Sequence, residues 1–170
     1  MTFANTLVLK RWQDLTLTEQ TVVRQLGISE QQSEYAGTID RALEHCQAGT
    51  DDDVAGLAVE IQAHIVGFLL LKRRSKNPDW ASPTAATIAA MRIDQPRQGE
   101  GLGGAALQVL PSWVVQNWPE VRSLILSVDE DNAAGIRAYA KAGFQQHGAR
   151  VQGRIGWEHH MSKAVASSQA

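Results

Sequence analysis

A glycine-rich segment between a predicted strand and a predicted helix constrains this chain more than any other feature. The strand Ala86–Ile93 leads into the segment Gln98–Gly104, and an apolar helix follows from about Gly101 to Asn117. The first backbone N–H groups of a helix have no partner within it, and the helix dipole adds partial positive charge there. Glycines lack a Cβ atom, so an anion can approach their backbone closely. The segment therefore predicts an anion site, suited to a pyrophosphate.

Two common phosphate-binding loops do not fit this segment. A Walker loop ends in Gly-Lys-Ser or Gly-Lys-Thr, whereas this one ends in Gly103, Gly104 and Ala105. A dinucleotide-binding loop has the spacing GxGxxG after a first strand, whereas Gly99, Gly101 and Gly103 are evenly spaced past mid-chain. A strand-to-helix turn that binds no ligand stays open as an alternative, because isolated glycine motifs are weak signals.

A second predicted helix, from Asn132 to about residue 142, carries polar groups on one face. Asn132, Gly135, Ile136 and Tyr139 are spaced i, i+3, i+4 and i+7, which places them on the same side. Tyr139 lies about 10 Å from Asn132 at about 1.5 Å per residue. A linear ligand could lie across both residues. An N-cap asparagine and a half-buried core tyrosine are the alternative interpretation.

The two motifs together resemble those of the GCN5-related N-acetyltransferase (GNAT) superfamily. The pattern Gln98-x-x-Gly101-x-Gly103 resembles the family's pyrophosphate loop. The sequence LSVDEDNAAGIRAYAKAGF is similar to its second motif, in which a strand is followed by Asn, by Tyr seven residues later and by Gly-Phe. The resemblance extends from about Ala86 to Gly148. It implies an enzyme, an acyltransferase whose donor is acetyl-coenzyme A, with no metal.

The resemblance also implies a role for each matching residue. Ile93 would offer backbone groups to the pantetheine arm, and Asn132 would contact the pantetheine. Tyr139 would lie near the thioester sulfur as the general acid. The pyrophosphate would be bound by Gln98, Gly99, Glu100, Gly101, Leu102, Gly103 and Gly104. We expect the Glu100 side chain to face solvent, so that only its N–H group takes part.

The general base for such a reaction is not evident from the sequence. Asp94 is the only acid beside the strand that precedes the glycines, and Glu60 and Glu34 are other candidates. Each of these acids could equally be a solvated surface charge or a salt-bridge partner. A chain of water molecules could do the same work.

The order of predicted elements indicates one domain with a mixed α/β architecture. We expect a GNAT-like, mostly antiparallel sheet of about seven strands flanked by about four helices. One of these helices is predicted over Ser33–Cys46, from its helical spacing of apolar residues. The domain is predicted to span residues 1–163, followed by a flexible tail over residues 164–170.

Composition excludes several classes of function. The formal net charge of −2 does not favour nucleic-acid binding. Cys46 is the only cysteine, which fits a reducing cytoplasmic location and no cysteine-based zinc site. We find no signal peptide and no membrane span, so no membrane partner is expected. His159 and His160 are adjacent on a predicted strand and face opposite sides, which is poor geometry for one metal.

The acceptor is predicted to be a primary amine of a small molecule. The segment MRIDQPRQGEGLG is most similar to diamine and polyamine acetyltransferases of the family, and several acids could attract a polycation, namely Glu30, Glu34, Asp40 and Glu44. These acids also suit ordinary exposed helix faces. Alternatives are a protein N-terminus or lysine, which would need an open groove between loops 26–32 and 150–156, and a non-catalytic acyl-coenzyme A-binding regulatory module. The fold allows a homodimer, although no residue establishes one.

Overall fold

The computed structural model of the chain describes residues 7–47 and 52–166. In those ranges the chain forms seven β-strands and five α-helices. The strands are β1 (Leu7–Arg11), β2 (Val54–Ile61), β3 (His64–Arg73), β4 (Ala85–Ile93), β5 (Ser123–Asp129), β6 (Gln145–Gln152) and β7 (Trp157–Ala164). The helices are α1 (Leu17–Arg24), α2 (Glu30–Ala36), α3 (Ile39–Gln47), α4 (Leu102–Asn117) and α5 (Ala133–Lys141). None of the helices described in these ranges is long and apolar enough to cross a membrane.

The seven strands form one sheet in the order β1-β2-β3-β4-β5-β7-β6. Neighbouring strands are antiparallel except β4 and β5, which are parallel. Parallel neighbours require a long crossover connection, and α4 supplies it. The prediction of a mixed, mostly antiparallel sheet flanked by helices is confirmed.

The sheet packs into cores on both faces, because strand side chains alternate between them. One core lies between the sheet and α4, and its members include Leu57, Leu69, Leu110, Val114 and Leu126. The other core lies between the opposite face and helices α1 and α3, and its members include Val23, Leu43, Ala58, Phe68 and Leu70. The two cores hold the strands in place, and with them the polar side chains at the strand ends.

The parallel strands β4 and β5 stay together for only part of their length. Their paired residues run from Ala85–Ser123 to Thr87–Ile125, after which the strands separate. In the separated stretch of β4, the pairing with β3 shifts register and Ala90 has a φ of +55°. A bulge of this kind bends its strand and increases the local twist. A gap therefore opens between β4 and β5 towards their carboxyl ends.

The single helix predicted over Ser33–Cys46 is wrong, because two helices, α2 and α3, occupy this stretch. Gly37 ends α2 with a φ of +73°, a positive value that favours glycine and that a helix cannot continue through. Ser29 and Gln32 form a capping box at the start of α2, so that helix also begins earlier than predicted.

Two residues of the predicted tail belong to the fold instead. Ala164 pairs with Ser123 at the end of β7. Val165 is buried, and its N–H group donates to the carbonyl oxygen of Arg122 at 2.9 Å. Residues 167–170 of the predicted tail lie outside the described residues. The single domain over residues 1–163 stays a prediction.

Candidate functional site

A cavity of about 360 Å³ lies where α2, the end of β4, the glycine segment and α5 meet. A smaller cavity of about 80 Å³ shares five of its lining residues and continues between β4 and β5. The shared residues are Tyr35, Ala36, Met91, Asn132 and Tyr139. We call the larger space the outer cavity and the smaller one the inner cavity.

The structure brings six of the predicted site residues together around the outer cavity. They are Ile93, Gln98, Gly99, Gly103, Asn132 and Tyr139. Four others do not line it, namely Glu100, Gly101, Leu102 and Gly104. The Leu102 side chain is 1% exposed and packs in the core, and the Glu100 carboxylate pairs with Arg97 at 2.8 Å on the surface. Leu102 and Glu100 could therefore contact a ligand only through their backbone N–H groups, as expected for Glu100.

The glycine segment keeps its backbone accessible at the start of α4. Gly99 and Gly101 have φ values of +84° and +80°, which favour glycine. A Cβ atom at either position would meet nothing within 4 Å, so the space beside the loop is open. The first bond of α4 runs from the Ala105 N–H group to the Gly101 carbonyl, and no side chain caps this end. The N–H groups of the first turn are thus available to an anion.

The side chain of Gln98 joins the glycine segment to two other elements. Its Nε2 atom donates to the Ile93 carbonyl oxygen at 2.8 Å and to Gln32 Oε1 of α2 at 3.0 Å. The Gln32 amide donates in return to Gln98 Oε1 at 3.1 Å. Gln98 therefore positions the loop with its side chain, and the Ile93 carbonyl, predicted to meet pantetheine, already accepts one hydrogen bond.

Asn132 both caps α5 and lines the two cavities. Its Oδ1 atom accepts a hydrogen bond from the Gly135 N–H group at 3.0 Å. A Cβ atom on residue 135 would lie 2.5 Å from Asn132 Nδ2, so this glycine makes room for the amide. The two interpretations of Asn132, as cap and as cavity residue, are compatible because Oδ1 serves the helix and Nδ2 can still donate.

Tyr139 lies at the junction of the two cavities. Its ring packs edge-on against Phe144, with a centroid separation of 5.8 Å. Its hydroxyl group has no hydrogen-bond partner among the described residues, and burial raises its pKa to about 12. The phenol is therefore protonated at neutral pH, in the state that a general acid requires.

None of the predicted base candidates lines either cavity. Asp94 Oδ1 accepts from the Gly27 N–H group at 2.8 Å and so fixes the loop before α2. Glu60 lies on β2 with a carboxylate oxygen 3.9 Å from Lys10 Nζ. Glu34 lines a separate cavity that also contains Arg41, Lys72 and Arg154. Glu30, Asp40 and Glu44 line none of these three cavities, so the acids predicted to attract a polycation do not surround one.

Asp129, which the sequence reasoning missed, lines the inner cavity at the end of β5. Its Oδ1 atom is buried without a hydrogen-bond partner among the described residues. Burial, and then the charge of Glu158, raise the pKa of this carboxyl group. An acid directly after the apolar run SLILSV was the available signal, because side chains at the ends of parallel strands commonly face a ligand site.

Arg92 is a second missed residue, and it fixes the position of α2 beside the outer cavity. Its guanidinium donates to the carbonyl oxygens of Ala90 at 3.2 Å and Ala36 at 3.1 Å. The first lies in the β4 bulge and the second at the end of α2, where carbonyl groups lack helical partners. Burial lowers the pKa of Arg92 from its ordinary value, but a guanidinium stays charged in proteins.

The neighbouring histidines face opposite sides of β7, as expected. His160 stacks on Trp80 with ring centroids 3.6 Å apart, whereas His159 Nδ1 lies 2.8 Å from the amide nitrogen of Gln146. Among residues 7–47 and 52–166, no group of three or more His, Cys, Asp or Glu residues could hold a metal ion.

Comparison with protein families gives a match over most of the chain. The acetyltransferase (GNAT) family matches residues 16–144. The mycothiol acetyltransferase of Amycolatopsis mediterranei (strain U-32) is 30% identical over 107 residues, which are 62% of this chain and 35% of that protein. The chain thus spans about a third of the length of this curated relative.

Solved structures share the fold at low sequence identity. Aminoglycoside acetyltransferase AAC(6')-Ib in complex with coenzyme A has a TM-score of 0.73 and 19% identity, covering 94% of this chain and 95% of that one. Spermidine N-acetyltransferase from Vibrio cholerae in complex with coenzyme A and spermine has a TM-score of 0.71 and 17% identity, covering 95% and 96%. The predicted family is confirmed by the match over residues 16–144, and the solved structures share its fold.

Proposed function

The chain belongs to the acetyltransferase (GNAT) family, and on that premise we propose that it transfers an acetyl group from acetyl-coenzyme A to a primary amine of a small molecule. One observation carries this proposal. The outer cavity is lined both by the start of α4, where backbone N–H groups lack partners, and by the partly buried Tyr139, whose hydroxyl is protonated. An anion site and a general acid in one cavity fit a donor with a pyrophosphate and a thioester.

In this arrangement the pyrophosphate lies against the glycine segment and the first turn of α4. The pantetheine arm follows the end of β4 through the outer cavity, past Asn132, whose Nδ2 atom can donate to an amide carbonyl. The gap between β4 and β5 leaves backbone groups of β4 without a strand partner on that side, so an extended arm can pair with them. The thioester then reaches the junction of the two cavities.

The chemistry at that junction is nucleophilic attack by a neutral amine on the thioester carbonyl carbon. The carbon–nitrogen bond forms, the carbon–sulfur bond breaks, and the sulfur leaves with the electron pair. The Tyr139 hydroxyl donates a proton to this sulfur. Helix α2 covers part of this site through Gln32, Tyr35 and Ala36.

A small acceptor fits the geometry better than a protein chain. A peptide would need an open groove between loops 26–32 and 150–156. Instead, the Arg154 guanidinium donates to the Glu34 carbonyl oxygen of α2, which joins the β6–β7 connection to that helix. The solved structures with aminoglycosides or spermine bound belong to other members of the fold, but they support a small amine here. A homodimer stays a prediction.

Binding of acetyl-coenzyme A to the purified protein tests the proposal. A ligand at 100 times its dissociation constant adds about 2.7 kcal/mol to the free energy of unfolding, a clear rise in melting temperature. Gly103→Asp should abolish that rise, because a Cβ atom there makes only ordinary contacts of 3.6 Å to Ile93 and 3.9 Å to Met91 while the carboxylate enters the anion site.

Gln108→Asp is the matched control, because it adds the same charge to the exposed side of α4. It should bind acetyl-coenzyme A as the wild type does. Equal binding by a folded Gly103→Asp variant would contradict the assigned site. Binding without release of free thiol in the presence of any amine would favour the non-catalytic regulatory module.

A further inference from the structure

We propose that the Asp129 carboxylate binds the acceptor amine in the inner cavity and takes up the proton that the amine loses. This inference rests on the proposed function and supplies the base that the sequence did not reveal. Asp129 is the last residue of β5, beyond the point where β5 parts from β4. It therefore projects into the gap with Asn132 and Tyr139, the residues assigned to the donor side.

The hydrogen-bonding state of Asp129 points to a missing donor. Its Oδ1 atom is buried and accepts no hydrogen bond from the described residues. A buried polar group without a partner costs free energy, and more so when it is charged, so a native fold keeps it only where something else compensates. An ammonium or amine N–H group in the inner cavity would complete its hydrogen bonding.

The strand register shows which face of the sheet Asp129 occupies. Ser127 and Asp129 lie opposite His160 and Glu158 of β7, and these four side chains share one face. Leu126, Val128 and Met161 alternate with them and belong to the core under α4. The acceptor can therefore approach from the face opposite to α4 and reach the same gap.

The charges around Asp129 favour a cationic acceptor. Glu158 lies directly opposite on β7, and its carboxylate accepts a hydrogen bond from the Ser127 hydroxyl. Glu158 and Asp131 oppose the ionisation of Asp129, while Arg154, from the β6–β7 connection, favours it. Arg154 also donates to the Glu34 carbonyl of α2. Two facing carboxylates thus present a negative site that selects amines over alcohols or thiols.

The acid–base properties of Asp129 suit this role. Burial is the main reason that its pKa lies above the ordinary value, and Glu158 adds to the rise. A base becomes more effective as its pKa moves towards the working pH. In the step itself, a bound ammonium first releases one proton to solvent. The neutral amine nitrogen then bonds to the carbonyl carbon and loses a second proton to Asp129, while the sulfur receives the Tyr139 proton. Solvent then carries the proton from Asp129 to the Tyr139 phenolate, and both groups return to their starting states.

The experiment compares Asp129→Asn with Asp131→Asn, a control that removes the same charge from an exposed neighbour. Three amines serve as probes: n-butylamine, cadaverine and spermidine. With the probe that the wild type uses best, Asp129→Asn should lower kcat/KM by about 10²-fold or more. It should remove the acid limb of the kcat/KM–pH profile that ionisation of Asp129 produces, and keep acetyl-coenzyme A affinity within a few-fold. Asp131→Asn should keep kcat/KM and acetyl-coenzyme A affinity within a few-fold. It should retain the acid limb, moved only towards lower pH, because it removes a charge that opposes the ionisation of Asp129.

The melting temperature of the variant is a further measurement. Because Oδ1 is unpartnered, Asp129→Asn should melt at the same temperature as the wild type or higher. Asp129→Ser, which is smaller and uncharged, is the second variant should the first fail to fold, and it should show the same loss of kcat/KM.

The possible outcomes separate this inference from the proposed function. Wild-type kcat/KM and an unchanged pH profile in Asp129→Asn would overturn the role of Asp129. A loss of the pH dependence in Glu158→Gln but not in Asp129→Asn would move the base to Glu158 and overturn it too. Acetyl-coenzyme A binding without acetylation of any of the three amines would overturn the cationic acceptor. Failure to bind acetyl-coenzyme A would overturn the proposed function itself.

Discussion

The side-chain amides of Gln32 and Gln98 donate to each other, with nitrogen–oxygen distances of 3.1 and 3.0 Å. This pair joins α2 to the glycine segment that is proposed to hold the pyrophosphate. We expect a double-mutant cycle of Gln32→Ala and Gln98→Ala to give a coupling free energy of about 0.5–1.5 kcal/mol in urea unfolding. The cycle is needed because Gln32 also caps α2.

Gln31→Ala is the control for this cycle, since Gln31 is an exposed neighbour on the same helix. It should show no coupling to Gln98→Ala. A coupling energy near zero for the Gln32–Gln98 pair would mean that solvent replaces the pair without cost and that the loop is positioned by other contacts.

Gly67 and Gly104 should respond in opposite directions to alanine. A Cβ atom on Gly67 would lie 2.6 Å from the Arg92 carbonyl oxygen and 2.7 Å from Ile93 Cδ1, so β3 and β4 would have to move apart. We expect Gly67→Ala to lower the free energy of unfolding by about 1–3 kcal/mol. Gly104→Ala meets nothing within 4 Å and should be neutral or raise stability by up to about 1 kcal/mol. Equal midpoints of chemical denaturation for the two variants would contradict the packing described at Gly67.

Tyr139→Phe should slow turnover by about 10²-fold and leave acetyl-coenzyme A affinity within a few-fold, because it removes a proton donor and little contact area. Since the pKa of Tyr139 is about 12, the wild-type rate should not fall from tyrosine ionisation up to about pH 10. Thiol release at several pH values measures both effects.

Tyr35 lines both cavities as well, and with Tyr139 it makes up the two tyrosines of the chain. Tyr35→Phe is therefore the matched comparison and should leave turnover within a few-fold. If Tyr35→Phe slows the reaction and Tyr139→Phe does not, the general acid is Tyr35.

The stack of Trp80 on His160 predicts a dependence of stability on pH. Burial is the main cause that lowers the pKa of His160 below its ordinary value, His147 adds to this, and Glu158 opposes it. As the pH falls below about 6.5, the unfolded chain binds the proton first, so stability is full above this pH and decreases through the lowered pKa. Melting temperatures from about pH 5 to about pH 7.5 should show the decrease in the wild type.

His160→Gln should make that decrease smaller, whereas His64→Gln, at an exposed position in the β2–β3 hairpin, should leave it unchanged. An identical pH profile in His160→Gln would show that other groups govern stability in this range.

Sequence patterns predicted the parts of the site that depend on short segments of chain. The glycine segment and the Asn132–Tyr139 face were readable because strand, turn and helix signals lie within a few residues of each other. The break at Gly37 was missed because apolar spacing continues through it, and only the backbone conformation reveals the stop.

Asp129 and Arg92 could not be assigned in the same way. Asp129 matters because β4 and β5 separate after Thr87, and Arg92 matters because a bulge at Ala90 directs it towards α2. Both features depend on contacts between strands far apart in the sequence. The sequence marks Asp129 as an acid at the end of an apolar strand, but local propensity and spacing do not show that the strands separate there or that a bulge turns Arg92.

Among the described residues, β4 and β5 pair over only three positions, from Ala85–Ser123 to Thr87–Ile125, where β1–β4 meet β5–β7 in the sheet. The width of the gap between β4 and β5 therefore depends more on how far the two strands pair than on the side chains that line the gap. One more paired position between β4 and β5 would narrow the gap, and one fewer would widen it for a bulkier acceptor. Acceptor size could therefore change, in evolution or by design, through backbone register alone, with Asp129 and Tyr139 kept.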